Sequence, residues 1–189
     1  MRLGRNIIVL VGGSGSGKTT IGNELAKHGI PKLVTATTRP MRANEGEVDG
    51  ESYYFMDAAS MNELDVICPT IMKGNQYGLP VFEIEQKLDA YGSVHVVLDK
   101  TGAYEMKNRF PRETFLIYIP TTLERMRRNM EKRGDSEADI QKALRHAIDT
   151  GELEPPTMPY LTLVNDGTKG ETVAMLLSIF GIKPVAKMC

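Results

Sequence analysis

Residues 12–19 have the sequence Gly12-Gly13-Ser14-Gly15-Ser16-Gly17-Lys18-Thr19. Two glycines five positions apart, followed by a lysine and a hydroxyl residue, are the pattern of a phosphate-binding loop. Glycines allow the backbone N–H groups to point inward and form a concave anion site. The Lys18 ammonium can reach terminal phosphates, and the Thr19 hydroxyl is suited to bind Mg²⁺. The run therefore predicts a site for the phosphates of a nucleotide.

The flanking sequence supports this interpretation. Residues 6–11 are short, apolar and rich in branched side chains, which predicts a buried strand. Residues 19–27 follow the loop and predict a helix, with Ile21 and Leu25 on one face. A strand, a loop and a helix in this order are the setting in which the loop pattern binds phosphate, because the start of the helix faces the anion. The alternative is a flexible glycine turn.

Composition limits the other functions that are open to the chain. With 189 residues it is long enough for one domain with a substantial core, and 41% hydrophobic and 25% charged residues are typical of a globular protein. The formal net charge of −1 gives no sign of nucleic-acid binding. The two cysteines, Cys68 and Cys189, favour a reducing cytoplasm, and no apolar run has the length of a membrane span.

The rest of the chain alternates between predicted strands and helices. Strands are predicted at 32–35, 93–98, 114–119 and 160–164, and helices at 81–90, 102–109, 121 or 122 to 133, 136–149 and 171–180. The predicted helix that ends at 133 carries Met126 and Met130 on one face, and the predicted helix at 136–149 carries Ile140, Leu144 and Ile148 on one face. The fold class is therefore α/β, a three-layer fold with a parallel sheet covered on both faces.

A long polar excursion at residues 36–57 interrupts the alternation and supplies a candidate second anion site. It contains Arg39 and Arg42, three positions apart around a proline, and paired guanidiniums suit a phosphate or carboxylate. Tyr53 and Tyr77 add hydroxyl donors. The alternative is two solvated arginines on a surface loop.

Asp99 ends the apolar strand at 93–98. Ligands in open α/β sheets bind beyond the carboxyl ends of the strands, so an acid there is placed to hold Mg²⁺ or its waters. An ordinary loop aspartate is the alternative.

Five cations crowd the helix that ends near residue 133, and they indicate either a solvated face or a movable cationic lid over the transferred group. They are Arg125, Arg127, Arg128, Lys132 and Arg133, and Arg145 lies on the next helix. Asn165 follows the last predicted strand in an Asn-Asp-Gly segment, which indicates first a turn and, as the alternative, a site where Asn165 contacts an adenine edge.

With these pieces in order, the chain resembles the guanylate kinase family along most of its length. The matching segments are the loop at 12–19, Thr37-Thr38-Arg39-Pro40-Met41-Arg42, Gly46-Glu47-Val48-Asp49-Gly50, Tyr53-Tyr54-Phe55, Tyr77-Gly78, Asp99, Arg133-Gly134 and Val164-Asn165-Asp166. The resemblance implies a P-loop core at 1–35, 81–122 and 150–189, a nucleoside-monophosphate region at 36–80 and a helical lid at 123–149. It also implies transfer of the γ-phosphoryl group of ATP to GMP with Mg²⁺.

The resemblance also implies roles for the candidate residues. ATP would be bound by residues 12–20, which are Gly12, Gly13, Ser14, Gly15, Ser16, Gly17, Lys18, Thr19 and Thr20, together with Asn165. The acceptor would be held by Arg39, Arg42, Tyr53 and Tyr77 at its phosphate and by Thr35 and Asp99 near its base. Lys18, Arg39, Arg133 and Asp99 would be catalytic, Arg128, Arg133 and Arg145 would belong to the lid, and Thr19 would bind the metal. Small-molecule nucleotides would be the partners, and we expect a monomer or homodimer.

Three departures from the family concern the acceptor. The excursion between Arg42 and Gly46 is two residues longer than usual. The family glutamate that reads guanine falls on Cys68, with Glu63, Asp57 or Glu83 as alternative sources of a carboxylate, and a family hydroxyl residue is Leu79. A site that lacks these partners loses discrimination by about 1–3 kcal/mol for each unpaired group.

Three hypotheses follow from this sequence. The first is a GMP kinase. The second, motivated by Cys68 and Leu79, is a kinase for another phosphorylated small molecule, as in the ribose 1,5-bisphosphate kinases. The third is a binding module without catalysis, like the guanylate-kinase-like domains of scaffold proteins, although here Lys18 and Thr19 are intact. A regulatory GTPase is disfavoured because the chain has no Asn-Lys-x-Asp motif.

Overall fold

The computed structural model describes residues 4–158, 160–165 and 169–182. Its strands are β1 (Asn6–Val11), β2 (Ala36–Thr37), β3 (Tyr54–Phe55), β4 (Val66–Met72), β5 (Asn75–Pro80), β6 (Ser93–Val97), β7 (Thr114–Tyr118) and β8 (Leu161–Thr162). Its helices are α1 (Lys18–Lys27), α2 (Ala58–Glu63), α3 (Val81–Tyr91), α4 (Lys100–Arg109), α5 (Leu123–Arg133), α6 (Glu137–Asp149) and α7 (Lys169–Ile179), with a 3₁₀ turn at Ala43–Glu45. None of these helices is long and apolar enough to cross a bilayer. Cys189 and Asp166 lie outside the described residues.

The strand before the phosphate loop organises the larger core. β1 is buried along its whole length and pairs in parallel with β6 on one side and β7 on the other, which gives the order β6-β1-β7-β8. Side chains alternate across a strand. Ile7 and Val9 therefore pack with α3 and α4 on one face, and Ile8 and Leu10 pack with α1 and α7 on the other. The parallel sheet covered on both faces is confirmed.

A second sheet holds the excursion. Its order is β3-β2-β5-β4, and β2 pairs antiparallel with β5. β4 and β5 form a hairpin whose turn residues, Lys73 and Gly74, have φ angles of 49° and 78°. Two successive positive φ angles are typical of the type I′ turn that matches the twist of a hairpin. This sheet brings residues of the long excursion next to residues 75–80, and the sequence analysis did not predict its hairpin.

The prediction of a strand at 32–35 is wrong. Lys32 makes only an isolated bridge to His95, and the strand lies at Ala36–Thr37. Leu33 and Val34 are buried, as their apolar character requires, but the Val34 N–H donates to Glu83 Oε1 at 2.8 Å and not to a neighbouring strand. The predicted last strand is also too long, since β8 covers only two residues.

Helix α6 does not bury the whole set of aligned residues. Ile140 is 1% exposed, whereas Ile148 is 59% exposed and Ala147 is fully buried. Each step of four residues turns a helix by about 40° beyond a full revolution, so residue 148 lies about 80° from residue 140, whereas residue 147 returns to within about 20° of it. The spacing of seven was therefore the better guide to the buried face.

Candidate active site

The loop at residues 12–19, called the cradle below, requires glycine at two positions. Gly12 has φ of 151°, and a Cβ there would lie 2.4 Å from Ile119 O. Gly17 has φ of 101°, and a Cβ there would lie 2.3 Å from Asn165 Nδ2. These contacts are shorter than any real Cβ makes, so a larger residue at either position would displace backbone or a bound amide. The glycine pattern in the sequence therefore reflects the packing of the cradle against Ile119 and Asn165.

Lys18 lies across the cradle. Its Nζ donates to Gly12 O at 2.5 Å and to Gly13 O at 2.8 Å. Burial lowers the pKa of Lys18, and the nearby Glu152 carboxylate opposes this shift. The ammonium thus bonds to loop carbonyls at the mouth of the cradle, where an anionic phosphate would be a stronger partner. The sequence analysis did not single out Glu152.

Two side-chain amides hold consecutive carbonyls of the cradle. Asn129 Nδ2 of α5 donates to Gly15 O at 2.8 Å, and Asn165 Nδ2 donates to Ser16 O at 2.9 Å. The Arg125 guanidinium in turn donates to Asn165 O. These two bonds fix the orientation of the Gly15 and Ser16 carbonyl groups in the cradle. Asn165, predicted to contact adenine, therefore donates to the backbone of the cradle. Asn129 was not predicted as a site residue, because it lies among the cations of α5.

A cavity of 330 Å³ opens over the cradle. It is lined by Ser14, Gly15, Gly17, Lys18, Thr19, Thr20, Asn129 and Arg133. Of the three predicted lid arginines, Arg133 alone lines this cavity among the described residues, and its guanidinium is held by Asp135. Arg128 and Arg145 are exposed.

A neighbouring cavity of 360 Å³ brings Asp99 to the other side of Lys18. Asp99 follows β6, and its Oδ1 accepts the Gly102 N–H at 2.7 Å, which caps α4. Glu152 and His146 line the same cavity. The predicted position of Asp99, beyond a strand end and beside the cradle, agrees with this geometry.

The oxygen groups of the cradle fit a magnesium ion. Thr19 is exposed at the cradle cavity, and Ser16 Oγ is buried with no hydrogen-bond partner among the described residues. The described residues contain no group of three His, Cys, Asp or Glu side chains arranged for a metal. Mg²⁺ bound with phosphates takes most of its ligands from phosphate and water oxygens and needs only one or two from protein. The Thr19 hydroxyl is suited to be such a ligand.

Arg39, Arg42, Tyr53 and Tyr77 come together in the second sheet and are called the clamp below. They line a cavity of 680 Å³. The Arg39 guanidinium lies 5.4 Å from the Tyr53 ring centroid, and the Tyr53 and Tyr77 rings meet edge to face at 6.1 Å. Lys73, on the hairpin turn, lines the same cavity. Lys73 was not predicted as a site residue, because the hairpin that carries it was not predicted.

Arg39 is not free in the clamp. It forms a two-pronged ion pair with Glu47, with 2.5 Å from NH2 to Oε1 and 3.1 Å from NH1 to Oε2. Hydrogen bonding to Glu47 raises the pKa of Arg39, and the same bond is the largest factor that lowers the pKa of Glu47. Arg42 pairs with Glu45 in a more exposed contact at 3.1 Å. Glu47 was quoted as part of a family segment, but its contact with Arg39 was not predicted.

A fourth cavity, of 270 Å³ and called the linking cavity below, shares lining residues with the cradle cavity and with the clamp cavity. Thr19 lines both the linking cavity and the cradle cavity, and Tyr53 lines both the linking cavity and the clamp cavity. Thr35, a predicted acceptor residue, lies on its wall. The linking cavity therefore shares one lining residue with the cradle cavity and another with the clamp cavity.

The carboxylate that contacts Cys68 is none of the three alternatives, Glu63, Asp57 and Glu83, that the sequence left open. Its N–H donates to Glu105 Oε2 at 3.0 Å, and burial, with Glu105 and Asp99 nearby, raises the pKa of its thiol to about 12. Cys68 is therefore a neutral thiol beside two carboxylates. Leu79, the other departure, is buried in the core.

The three proposed substitute carboxylates are engaged elsewhere or exposed. Asp57 Oδ1 accepts the Ser60 N–H at 2.8 Å and caps α2, and Glu63 is exposed. Glu83 is 1% exposed and is bound by Val34 N, the Tyr54 hydroxyl and Lys87 Nζ at 2.7–2.8 Å. Glu105, which the sequence analysis did not consider, is the carboxylate that contacts the Cys68 backbone.

Several known proteins are similar to this chain along most of its length. The family model described as guanylate kinase matches residues 4–168. A guanylate kinase of Desulfitobacterium hafniense is 37% identical over 168 residues, which cover 85% of this chain and 82% of the relative. A guanylate kinase of Nostoc is 30% identical over 187 residues, covering 95% and 92%. The crystal structure of guanylate kinase from Anaplasma phagocytophilum superposes with a TM-score of 0.62 at 26% identity, covering 98% of this chain and 88% of that one.

Proposed function

This chain belongs to the guanylate kinase family, and from that membership we propose that it transfers the γ-phosphoryl group of ATP to GMP. The observation that carries the proposal is the series of cavities from cradle to clamp. Thr19 and Tyr53 each line two of these three cavities, which supports a donor in the cradle and an acceptor phosphate in the clamp on the two sides of the linking cavity. Two anions held end to end in this way are what direct phosphoryl transfer requires.

The donor side positions the group to be transferred. The N–H groups of the cradle and the Lys18 ammonium hold the terminal phosphates of ATP, and Arg133 faces them from the end of α5. These cations offset the charge that spreads over the transferred group and the leaving oxygen in the transition state. When Mg²⁺ is bound, with the Thr19 hydroxyl as a protein ligand, it adds charge neutralisation at the same phosphates.

The acceptor side orients the nucleophile. Arg39, Arg42, Tyr53 and Tyr77 hold the phosphate of GMP, so that one of its oxygens lies in line with the γ-phosphorus. A bond forms between that oxygen and the γ-phosphorus, the bond from the γ-phosphorus to the bridging oxygen breaks, and GDP and ADP result. No covalent enzyme intermediate is needed, because positioning and charge supply the catalysis.

The acceptor base is assigned to the region around Thr35 and Asp99. Thr35 lies on the linking cavity, and Asp99 and Glu105 approach the neutral Cys68 thiol. Guanine presents N–H donors that carboxylates accept well. The Asp99 carboxylate, which lines the cavity beside Lys18, therefore supports an acceptor base with N–H donors, although Cys68 replaces the family glutamate.

A panel of acceptors with ATP and Mg²⁺ tests the proposal. ADP release is measured with GMP, dGMP, AMP, the pyrimidine monophosphates and ribose phosphates, and ATP binding is measured by calorimetry. We expect selective turnover of GMP. If a ribose phosphate or another nucleotide is preferred, that compound and not GMP is the acceptor. ATP binding without turnover of any acceptor would identify a binding module.

A further inference from the structure

We propose that Glu47 is a positioning residue of the clamp, which fixes the Arg39 guanidinium in the orientation that receives the acceptor phosphate. The inference rests on the proposed function and deepens it. Its basis is the ion pair between the two side chains, which are only 13% and 16% exposed. The neighbouring pair of Arg42 and Glu45 has side chains that are 54% and 55% exposed. Of the two pairs on this loop, one is enclosed by the clamp and the other is solvated.

The Glu47 carboxylate accepts hydrogen bonds from one edge of the Arg39 guanidinium. A guanidinium carries five N–H donors. NH1 donates to Pro40 O at 2.9 Å and to Glu47 Oε2 at 3.1 Å, and NH2 donates to Glu47 Oε1 at 2.5 Å. Two donors remain, one on NH2 and the one on Nε, and hydrogen bonding with the Tyr77 hydroxyl also raises the pKa of Arg39. Glu47 therefore occupies one edge of the guanidinium and leaves the other for the Tyr77 hydroxyl or a ligand.

The faces of the guanidinium are also confined. The Tyr53 and Phe55 ring centroids lie 5.4 Å and 5.6 Å from Arg39 Cζ, within the range of cation–π contacts. Glu47 Oε2 also accepts the Arg42 N–H at 2.8 Å, which ties both arginines of the clamp to one carboxylate. An arginine held at one edge and against two rings has little rotamer freedom left to lose when a phosphate binds.

The charge of the cavity gives a reason for a carboxylate in a phosphate site. Its ionisable lining consists of Arg39, Arg42 and Lys73, each with charge +1, and Glu47 with charge −1. The sum over the lining is +3 − 1 = +2, and Glu45, which does not line the cavity, offsets part of the Arg42 charge, so the site stays cationic with Glu47 present. An unpaired carboxylate would repel a phosphate dianion, but Glu47 directs both oxygens at Arg39 and the Arg42 backbone. The negative charge of Glu47 therefore orients the Arg39 guanidinium and the Arg42 backbone.

Steady-state kinetics of Glu47→Gln test this role. The amide keeps the shape but loses the charge and one of the two acceptors. We expect the KM for GMP to rise about tenfold or more, with the KM for ATP within about twofold of the unsubstituted protein. Glu45→Gln is the matched control, because it changes the same residue type on the same loop in the solvated pair, and its KM for GMP should stay within about twofold.

A double-mutant cycle separates positioning from general support of the loop. If Glu47 acts through Arg39, adding Glu47→Gln to Arg39→Ala raises the KM for GMP no further. If Glu47 only stabilises the loop, the thermal midpoint falls in Glu47→Gln and the two effects on KM add, which contradicts the inference. Glu47→Asp, which keeps the charge, serves if the amide variant does not fold, and it should recover part of the GMP affinity.

The proposed function and this inference fail in different ways. Absence of GMP turnover by the unsubstituted protein contradicts the proposed function. In that case calorimetric titration of inorganic phosphate, with the cradle filled by saturating ADP, still tests the clamp, and Glu47→Gln should weaken phosphate binding about tenfold. Unchanged phosphate binding there, or an unchanged KM for GMP in a protein that turns GMP over, contradicts the role of Glu47.

Discussion

The cradle and the clamp differ in how far apart in the sequence their groups lie. The cradle is one run of eight residues that follows β1 and ends in the first turn of α1, and its anion-binding groups are mostly its own backbone. The clamp takes Arg39, Arg42 and Tyr53 from the excursion and Tyr77 from a hairpin. Its anion-binding groups are side chains, and an ion pair and aromatic rings orient Arg39.

This difference predicts how each region responds to substitution. Backbone donors are set by packing, as at Gly12 and Gly17, so the cradle is sensitive to volume and to the amides that hold its carbonyls. Side-chain donors are set by their partners, so the clamp is sensitive to charge. Substitutions in the cradle should therefore change the kinetics of ATP, and substitutions in the clamp should change those of GMP.

The largest effect is expected for Lys18→Ala. Lys18 is the charged side chain of the cradle, and its loss should lower kcat for GMP phosphorylation by about 1,000-fold or more, because the charge on the transferred group is no longer offset. Folding should be retained, since the burial that lowers the pKa of Lys18 disfavours a charge at this position. Lys27→Ala, at the exposed far end of α1, is the control. Near-normal turnover by the Lys18 variant would remove the cradle from the mechanism.

Arg39→Ala is expected to raise the KM for GMP by about 100-fold, because one charged donor of the clamp is lost and Glu47 is left without its partner. The KM for ATP should change by less than about threefold. Arg5→Ala, which breaks an exposed ion pair with Asp89, should change neither value. Equal increases in both KM values would show that the two regions are not independent.

How well each region could be predicted follows from the same difference. The cradle is encoded locally, because glycine and lysine at fixed spacing determine the backbone shape and the charge. The clamp arginines could be proposed from the sequence, but the partner of Arg39 could not, since nothing in a one-dimensional pattern shows which of several nearby acids faces it. Asn129 and Asn165 lie 114 and 149 positions from the carbonyls that they bind, and no local signal marks those contacts.

The hairpin was missed for a physical reason. β4 has a bulge between Ile67 and Thr70, where Cys68 has a φ of 58°, and this irregularity breaks the alternation that identifies a strand. Its exposed half then places Ile71, 73% exposed, toward solvent. A signal was nevertheless present, because Gly74 lies between two segments that can pair, and glycine accepts the positive φ of a tight turn.

The region between cradle and clamp gives a pH-dependent test. His95 lines the linking cavity, its Nδ1 lies 2.8 Å from Ile30 O, and burial lowers its pKa to about 4. An unfolded histidine has a pKa near 6.5, so the unfolded state binds more protons between about pH 4 and 6.5, and stability falls as the pH drops through that window. From pH 7 to 5 the loss should be about 2 kcal/mol.

His95→Asn should reduce this pH dependence while keeping a donor toward Ile30 O. The free energy of urea unfolding at pH 7 and pH 5 measures it, and His146→Gln, at an exposed position, is the control. The variant should be less stable than the unsubstituted protein at pH 7, because the smaller side chain leaves a void. An equally steep loss of stability on acidification in His95→Asn would assign the effect to other groups.

Asn165→Ala should give the smallest effect, and it tests the comparison most directly. The substitution leaves Ser16 O without its 2.9 Å partner and loosens the cradle without changing any charge. One such hydrogen bond is worth about 1 kcal/mol, which corresponds to an increase of about fivefold to tenfold in the KM for ATP. The KM for GMP should stay constant, because the clamp has its own supports. Asn62→Ala, which removes an exposed contact between α2 and Gln76 of β5, is the control and should leave the KM for ATP unchanged. If Asn165→Ala instead raised the KM for GMP as well, the two regions would share their supports, and the contrast between a backbone cradle and a side-chain clamp would not hold.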